Sequence, residues 1–474
     1  MSVKSKFSAS SSIKRVKLER SVDLKLNSIL TDDIGLSRPV LISVIIPTKI
    51  DAGKKTRRRE LKTLSRILEE CSKLADLGYI DEIIVIDASM RDTKPDYSVL
   101  TKVIRTAYFN LRLFRREVEL VASSKAENLH ASKGFFNFFV KVVHQHDPLI
   151  SKVLETKNVF KKLGLEYIPF GKGAALWLSV PLCSGDIVCF IDSDIMNFKK
   201  EMIVSLCDPL IRSINSLSPS TVFTKAYYKR LTLRYESESK EFVLGGRVTR
   251  LFIKPMLKIL SRRYSNVFGE FDKINYPLSG ENATFKNILE KLSFPYDYNV
   301  ELSSLYQIIK NYGAGSIKQV DLDLFYHIGQ STKGLHNMVS QLSSFLARLL
   351  EENGISLSEE NLRILVDEYL NESKVWVKRY KKIFYSEIEP LGQVLKIPVY
   401  YSEATERERV ELFASILFET VKNRGYGVKV LPPWRDVLNS IEYTLLSSLL
   451  KYRANQFTYT RLLKAGLVPK IKTG

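Results

Sequence analysis

The sequence is short of the features that most quickly fix a protein's class. It has four cysteines in 474 residues, Cys71, Cys183, Cys189 and Cys207, all in apolar or helical surroundings and without a C-x-x-C pair. That usage fits buried free thiols in a reducing cytosol rather than a disulfide scaffold or a zinc site. No run of about eighteen apolar residues occurs, so a membrane-spanning helix is not expected. The opening MSVKSKFSASSSIKRVKLER is rich in Ser, Lys and Arg, lacks an apolar h-region and does not read as a secretory signal. A cytoplasmic location is therefore expected. Zinc-finger spacing, RNP-like aromatic segments and heptad-linked basic regions are also missing, and no internal repeat is found.

Acidic residues are scarce relative to basic ones: 52 Asp and Glu against 72 Lys and Arg, a net charge of +20. Such an excess favours anionic partners, whether nucleic acid, phosphorylated metabolites or an anionic membrane surface. Local runs occur in GKKTRRRE (53–60), RLFRRE (112–117) and VKRYKKIF (377–384). The plain alternative is a solvated surface, and without a nucleic-acid motif a nucleic-acid role is not favoured.

The length suits one large α/β domain with an addition, or two domains. Residues 1–38 read as a mobile basic tail, ordered at most in VDLKLNSIL. PVLISVIIPT (39–48) and IDEIIVIDAS (80–89) read as strands covered on both faces, with a helix between them. Strand, helix, strand is the pattern of a parallel βαβ sheet, in which ligands bind outside the carboxyl ends of the strands. That rule selects Pro47 to Asp51, Asp87 to Asp92 and Asp192 to Asp194. Residues 97–165 read as a mainly helical insertion in a domain spanning 39–340, and 341–474 as a helical C-terminal region.

Several stretches carry chemistry. Asp192-Ser193-Asp194 closes the apolar run IVCFIDSDI; on an extended backbone its two carboxylates face one side. Mg²⁺ or Mn²⁺ would offset their charge and hold a diphosphate, although a solvated Asp pair at a strand end is the commoner arrangement. Lys172 in GKG sits where glycines let backbone approach a phosphate; an ordinary turn is the bland reading. Gly245, Gly246, Arg247 and Thr249 in LGGRVTRL form a second anion-binding candidate, against a β-turn with a surface arginine. Gly280 and Glu281 lie in a loop that offers a site acid or merely a capping one. His327, at the end of a strand-like segment, is either a neutral cation ligand or hydrogen-bonded structure. Glu301 is either an acid beside a sugar or a helix N-terminal acid. The other four histidines receive no role.

The order VIIPT, IIVIDAS, GKGAALW…SGDIVCFIDSDI, TKAYYKR, GGRVTRLFIKPML, PLSGENA, the Glu301 region and QVDLDLFYHIGQ resembles the GT-A nucleotide-sugar glycosyltransferases. More narrowly it resembles the glucosyl-3-phosphoglycerate synthase family over about residues 40–340. The resemblance implies a Rossmann-like, mostly parallel sheet flanked by helices, and retaining transfer of glucose from a nucleotide diphosphate sugar to 3-phosphoglycerate with Mg²⁺ or Mn²⁺. It assigns Pro47, Thr48, Asp51, Asp87 and Ser89 to the nucleoside, with Lys172, Asp192 and Ser193 at the diphosphate, ribose or sugar. Asp194 and His327 would bind the metal, Gly245, Gly246, Arg247 and Thr249 the acceptor, and Glu301 would lie near the transferred sugar. Catalytic roles are expected of Lys172, Asp192 and Glu301.

The chain departs from the family pattern in three places. PTKIDAGKK stands where the family usually has an Asn-Glu pair, Gly329 and Gln330 follow the metal histidine where it carries Asn and Arg, and the segment before GKG is longer. Lys333 is the candidate replacement for the missing cation. The donor is left open among UDP-, GDP- and ADP-hexoses, and the alternative enzyme is a sibling using GDP-mannose or another anionic or lipid-phosphate acceptor. A nucleic-acid-binding or scaffold protein on a degenerate GT-A fold is the rival from another class. The C-terminal helices read as a homodimer contact or a cover over the site, with peripheral membrane contact a further use.

Overall fold

The first apolar run forms β1 (Ile42–Thr48), and helix α1 (Arg57–Ala75) returns the chain over the sheet with Leu64, Ile67, Leu68, Cys71 and Leu74 turned inward. Strand β2 (Glu82–Asp87), buried throughout, pairs parallel with β1. The alternation of side chains across these strands feeds two cores. Ile45, Ile84 and Ile86 enter one cluster, while Val44, Ile46, Ile83 and Val85 enter the other. Both faces being covered is why the strands read as unbroken apolar runs.

The structure is a computed structural model that describes residues 18–31, 37–123, 137–216, 220–233, 241–329, 332–423 and 428–468. After β2 come α2 (Ser98–Asn110), α3 (Arg112–Ser123), β3 (Val140–His144), α4 (Pro148–Thr156), α5 (Lys172–Ser179), β4 (Ile187–Phe190) and α6 (Lys200–Ile214). Strands β5 (Phe223–Leu233) and β6 (Phe242–Leu244), helix α7 (Lys254–Arg263), strand β7 (Asn282–Phe285), helix α8 (Val300–Tyr312) and strand β8 (Ile317–Ile328) follow. The C-terminal part includes α9 (Thr332–Glu352), α10 (Glu359–Ile383), the short β9 (Val399–Tyr400), α11 (Glu403–Lys422) and α12 (Ser440–Ala465).

The sheet runs β9-β6-β5-β7-β4-β1-β2-β3, with β8 parallel to β5 along its length. From β4 to β3 every pairing is parallel; β7 then reverses direction against both β4 and β5. The crevice opens at the carboxyl ends of β4, β1 and β2, where topology favours a ligand.

Two sequence expectations are corrected. The tail is helical from Leu18 and buries Leu18 and Val22, and Ile29–Thr31 pairs with Ser37–Pro39; residues 1–17 lie outside the described residues. The segment 97–165 does hold helices, but it also supplies β3, the last strand of the parallel sheet, so it is not an insertion. Its pattern was obscured by Lys141, a fully buried lysine paired with buried Glu82 on β2.

The C-terminal helices complete the cores. Trp434 stacks on Trp177 of α5 with ring centroids 3.8 Å apart. Trp434 Nε1–H donates to the Trp177 carbonyl at 2.8 Å, and Trp177 Nε1–H to the Pro432 carbonyl at 2.9 Å. Helix α12 lies along the free edge of β3, where Thr458 Oγ1 accepts from Val142 N–H at 3.0 Å and Asn455 Oδ1 from Phe138 N–H at 2.9 Å. The four cysteines are buried and free. No helix among the described residues is long and apolar enough to cross a membrane.

Candidate active site

At the end of β4 the chain leaves the sheet, and Asp192, Ser193 and Asp194 lie on the loop and turn that follow rather than on extended strand. The two carboxylates therefore do not share one partner. Asp192 Oδ1 accepts from Lys172 Nζ at 2.6 Å, while Asp194 Oδ2 faces His327 Nδ1 at 3.3 Å. The turn is clipped to β8 by an antiparallel bridge between Ile195 and His327 and by Met196 N–H donating to the Tyr326 carbonyl at 2.8 Å. That clip holds Asp194 beside a histidine distant in sequence.

Lys172 begins α5, and its ammonium also lies 2.8 Å from Glu301 Oε1 on the first turn of α8. Burial disfavours its charge, but Asp192 and Glu301 outweigh that and push its pKa well above the ordinary value. The flanking glycines serve a different contact from the expected phosphate approach. A Cβ on Gly171 would stand 2.1 Å from the Tyr296 carbonyl oxygen, and one on Gly173 1.7 Å from that of Pro295. The space the glycines open is filled by the chain's own backbone. Gly280 makes similar room for Asp192, since a Cβ there would lie 2.3 Å from Asp192 Oδ2.

Asp194 and His327 suit a hard divalent cation. Burial works to raise the Asp194 carboxyl, but the His327 hydrogen bond and the charges of Arg230 and Lys172 hold it down to about 2. Burial and the Arg230 charge push the His327 imidazole down to about 4 against the pull of Asp194, leaving it neutral. Its Nε2 lies 2.9 Å from Thr232 Oγ1, which fixes the ring. A deprotonated carboxylate and a neutral imidazole match Mn²⁺ or Mg²⁺ ligation. Among the described residues no group of three or more His, Cys, Asp or Glu could hold a metal, so water and substrate oxygens would fill the other positions.

Gly245 and Gly246 follow β6 into the same crevice. The Gly245 N–H donates to the Arg230 carbonyl at 2.7 Å, so this amide is not open to an anion as the sequence suggested. Gly246 adopts φ +65, and a Cβ there would meet Tyr276 Oη at 2.2 Å. The loop is pinned by buried Arg250, which donates to the Gly245 carbonyl at 2.6 Å, the Leu244 carbonyl at 3.2 Å and Glu406 Oε2 at 2.6 Å. Arg247 and Thr249 line the crevice with Gly246, Arg230, His327 and Glu301. Burial, with Arg409 and Arg250 nearby, lowers the Arg247 pKa to about 10, which leaves it a cation at neutral pH.

The nucleoside candidates gather at the ends of β1 and β2. Thr48 Oγ1 and Ser89 Oγ donate to Asp87 Oδ1 at 2.7 and 2.5 Å, and Ile50 N–H donates to Ser89 Oγ at 2.7 Å. Asp51 Oδ1 accepts from Met90 N–H at 2.8 Å, tying the two loops together beside partly buried Pro47. Asp87 is fully buried; burial raises its pKa to about 7, and its Oδ2 has no hydrogen-bond partner among the described residues.

Sequence reasoning missed Arg230, whose side chain lines the crevice below Thr232 and whose charge acts on both Asp194 and His327. The signal was present: Tyr228, Arg230 and Thr232 alternate on one face of β5. Buried Tyr228 donates to Glu281 Oε2 at 2.9 Å, and burial with the Asp192 charge raises the Glu281 carboxyl to about 7. The departure at Gly329 also has a reason, since a Cβ there would lie 2.8 Å from the Leu233 carbonyl oxygen. Gln330 lies outside the described residues. Lys333 is exposed at the start of α9, while Leu335 and Met338 face the crevice.

No family model matches the chain. The glucosyl-3-phosphoglycerate synthase of Petrotoga mobilis is 32% identical over 263 residues, covering 55% of this chain and 74% of that protein. The chain belongs to the glucosyl-3-phosphoglycerate synthase family. The family's protein from Persephonella marina is 26% identical over 313 residues, covering 63% of this chain and 71% of its own length. Among solved structures, the Mycobacterium tuberculosis family member in complex with Mn²⁺, UDP and glucosyl-3-phosphoglycerate is 25% identical. It covers 67% of this chain and 82% of its own, with a TM-score of 0.44.

Proposed function

We propose that the chain is a metal-dependent retaining transferase that moves glucose from a nucleotide diphosphate glucose to the hydroxyl of 3-phosphoglycerate. The observation that carries this reading is one crevice walled by Lys172 and Glu301, by Asp194 and His327, and by Arg247 and Thr249. Family membership supports it.

In this reading Pro47, Thr48, Asp51, Asp87 and Ser89 hold the nucleoside through the two strand-end loops, and Ser193 and Asp192 lie towards the ribose and sugar. Asp194 and His327 hold Mn²⁺ or Mg²⁺, which when bound offsets charge on the leaving diphosphate. Lys172 brings a permanent positive charge to the same leaving group. Arg247 and Thr249, with Arg230, grip the phosphate and carboxylate of the acceptor and orient its hydroxyl towards the anomeric carbon. As the anomeric C–O bond breaks, negative charge grows on the leaving diphosphate, where Lys172 already stands and stabilises it without rearrangement. Arg230 on β5 adds a second guanidinium to this acceptor grip. A homodimer through the C-terminal region belongs to this proposal; exposed Ile441, Leu445 and Leu449 on one face of α12 support it.

The test is product formation followed by mass spectrometry. Purified protein is given UDP-, GDP- or ADP-glucose, or GDP-mannose, with 3-phosphoglycerate and Mn²⁺, Mg²⁺ or EDTA. A metal-dependent glucosyl-phosphoglycerate supports the reading and names the donor. Donor hydrolysis with no product on 3-phosphoglycerate overturns the acceptor assignment. Absence of both binding and consumption of every donor overturns the transferase itself.

A further inference from the structure

A second cavity, of about 440 Å³, lies between Tyr97 just before α2, the end of α3, the start of α4 and the C-terminal helix α12, and shares no lining residue with the crevice above. Its walls include Tyr97, Phe138, Leu149 and Phe457, with Asp147 and Arg461 as the charged groups among the described residues. Its size falls within the range of small-molecule sites, about 300–1,000 Å³. The Tyr97 ring also touches His144 at 5.4 Å between centroids, and His144 Nε2 lies 2.9 Å from the Ser89 carbonyl oxygen. The cavity therefore backs onto the nucleoside end of the crevice.

Arg461 is the anomaly. It is 5% exposed, and its guanidinium carbon lies 4.6 Å from the Tyr97 ring centroid and 4.8 Å from that of Phe457. Its Nε is buried without a hydrogen-bond partner, and among the described residues the guanidinium makes no hydrogen bond or ion pair. The facing carboxylate does not fill that role. Asp147 caps α4, its Oδ1 accepting from Leu149 N–H at 2.9 Å and Ile150 N–H at 3.2 Å. Buried guanidinium groups are costly unless they are hydrogen-bonded, and their planar fork matches a carboxylate or phosphate. The two rings flank the guanidinium and leave apolar surface beside it.

We propose that this cavity binds one small anion carried on an apolar body, an acyl or aryl carboxylate or phosphate, with Arg461 on the anionic group and the aromatic walls around the rest. The proposal is independent of the transferase reading, because none of its residues belongs to that site.

The full chain is titrated with 8-anilinonaphthalene-1-sulfonate, followed by fluorescence. The probe is then displaced with octanoate, octyl phosphate, 1-octanol or UDP, each below any micelle concentration. One probe should bind per chain, and at least one of the two anions should displace it at a concentration tenfold or more below 1-octanol. The stronger of the two identifies carboxylate or phosphate. Arg461→Met keeps the apolar stem and should weaken the anions tenfold or more. Leu149→Trp, at a position 44% exposed on the cavity rim, should block probe and anions alike. Absence of a saturable site, equal displacement by alcohol and anions, displacement by UDP, or unchanged anion affinity in a folded Arg461→Met overturns the proposal. If Arg461→Met does not fold, unchanged anion affinity in Leu149→Trp overturns it.

Discussion

The Lys172 ammonium lies 2.8 Å from Glu301 Oε1, with side chains 18% and 8% exposed, and the same ammonium holds Asp192 at 2.6 Å. A carboxylate whose Oε1 is held by an ammonium is a weakened attacking group, because the cation stabilises its lone pairs. On the proposed reading Glu301 serves instead to position Lys172. Glu301→Gln should lower kcat about 10- to 100-fold, the scale of a misplaced catalytic group. A true nucleophile would cost on the order of 10⁴-fold or more. Steady-state kinetics give the first number, and intact-protein mass spectrometry of the variant should show no glycosyl adduct.

Gly280 supplies a sharper test of the same geometry. Its added Cβ would stand 2.3 Å from Asp192 Oδ2, so Gly280→Ala must push that carboxylate from Lys172. We expect kcat/KM to fall by about 10²-fold. Unchanged activity in a folded variant would show that Asp192 need not hold its position.

Asp194 and His327 should act as a pair towards Mn²⁺. Replacing either by Asn removes one of two protein ligands and should weaken Mn²⁺ binding at least about tenfold. Titration followed by electron paramagnetic resonance measures this without turnover. Mn²⁺ affinity unchanged from the parent in both variants would exclude the pair as the metal site.

Asp87 predicts a pH dependence of stability. Burial raises its carboxyl from 3.8 to about 7 in the folded chain. The folded state therefore keeps a proton that the unfolded state gives up, and stability falls as pH rises between these values. Asp87→Asn removes that slope. The difference in melting temperature between variant and parent should move in the variant's favour from pH 4 to pH 7 and level off above. A flat difference across the window would show that the carboxyl ionises freely.

Arg250 and Glu406 form a buried pair with both side chains 4% exposed. Glu406→Gln leaves the guanidinium without its counter-charge and should destabilise the fold by about 3–5 kcal/mol. Urea unfolding monitors the loss. The Gly245–Gly246 loop, which Arg250 holds, should also loosen, raising KM for the acceptor more than that for the donor.

Much of the site was legible because its residues sit beside local signals. β1, β2 and β4 are apolar runs broken by polar loop residues, and Asp194, His327, Arg247 and Thr249 lie at or near such breaks. What was illegible depends on partners far along the chain. Lys141 hid β3 because its counter-charge, Glu82, lies on the neighbouring strand. The glycines around Lys172 were assigned to a phosphate because nothing nearby shows that residues 295–297 pass so close. Arg230 is hidden inside TKAYYKR, since alternation shows which face it shares but not that this face meets Asp194 and His327.

The helix along β3 has a consequence outside the chemistry. Thr458 and Asn455 offer single oxygens to backbone N–H groups that a neighbouring strand would otherwise claim, so α12 stands in for a strand without offering an edge of its own. A chain ending before Ser440 would keep every residue of the crevice yet uncover Val140, Val142 and the backbone beside them. Unsatisfied edges of this kind template the addition of further strands. The last helix is thus also a guard on solubility, and its loss should show first as self-association during expression rather than as a defect in turnover.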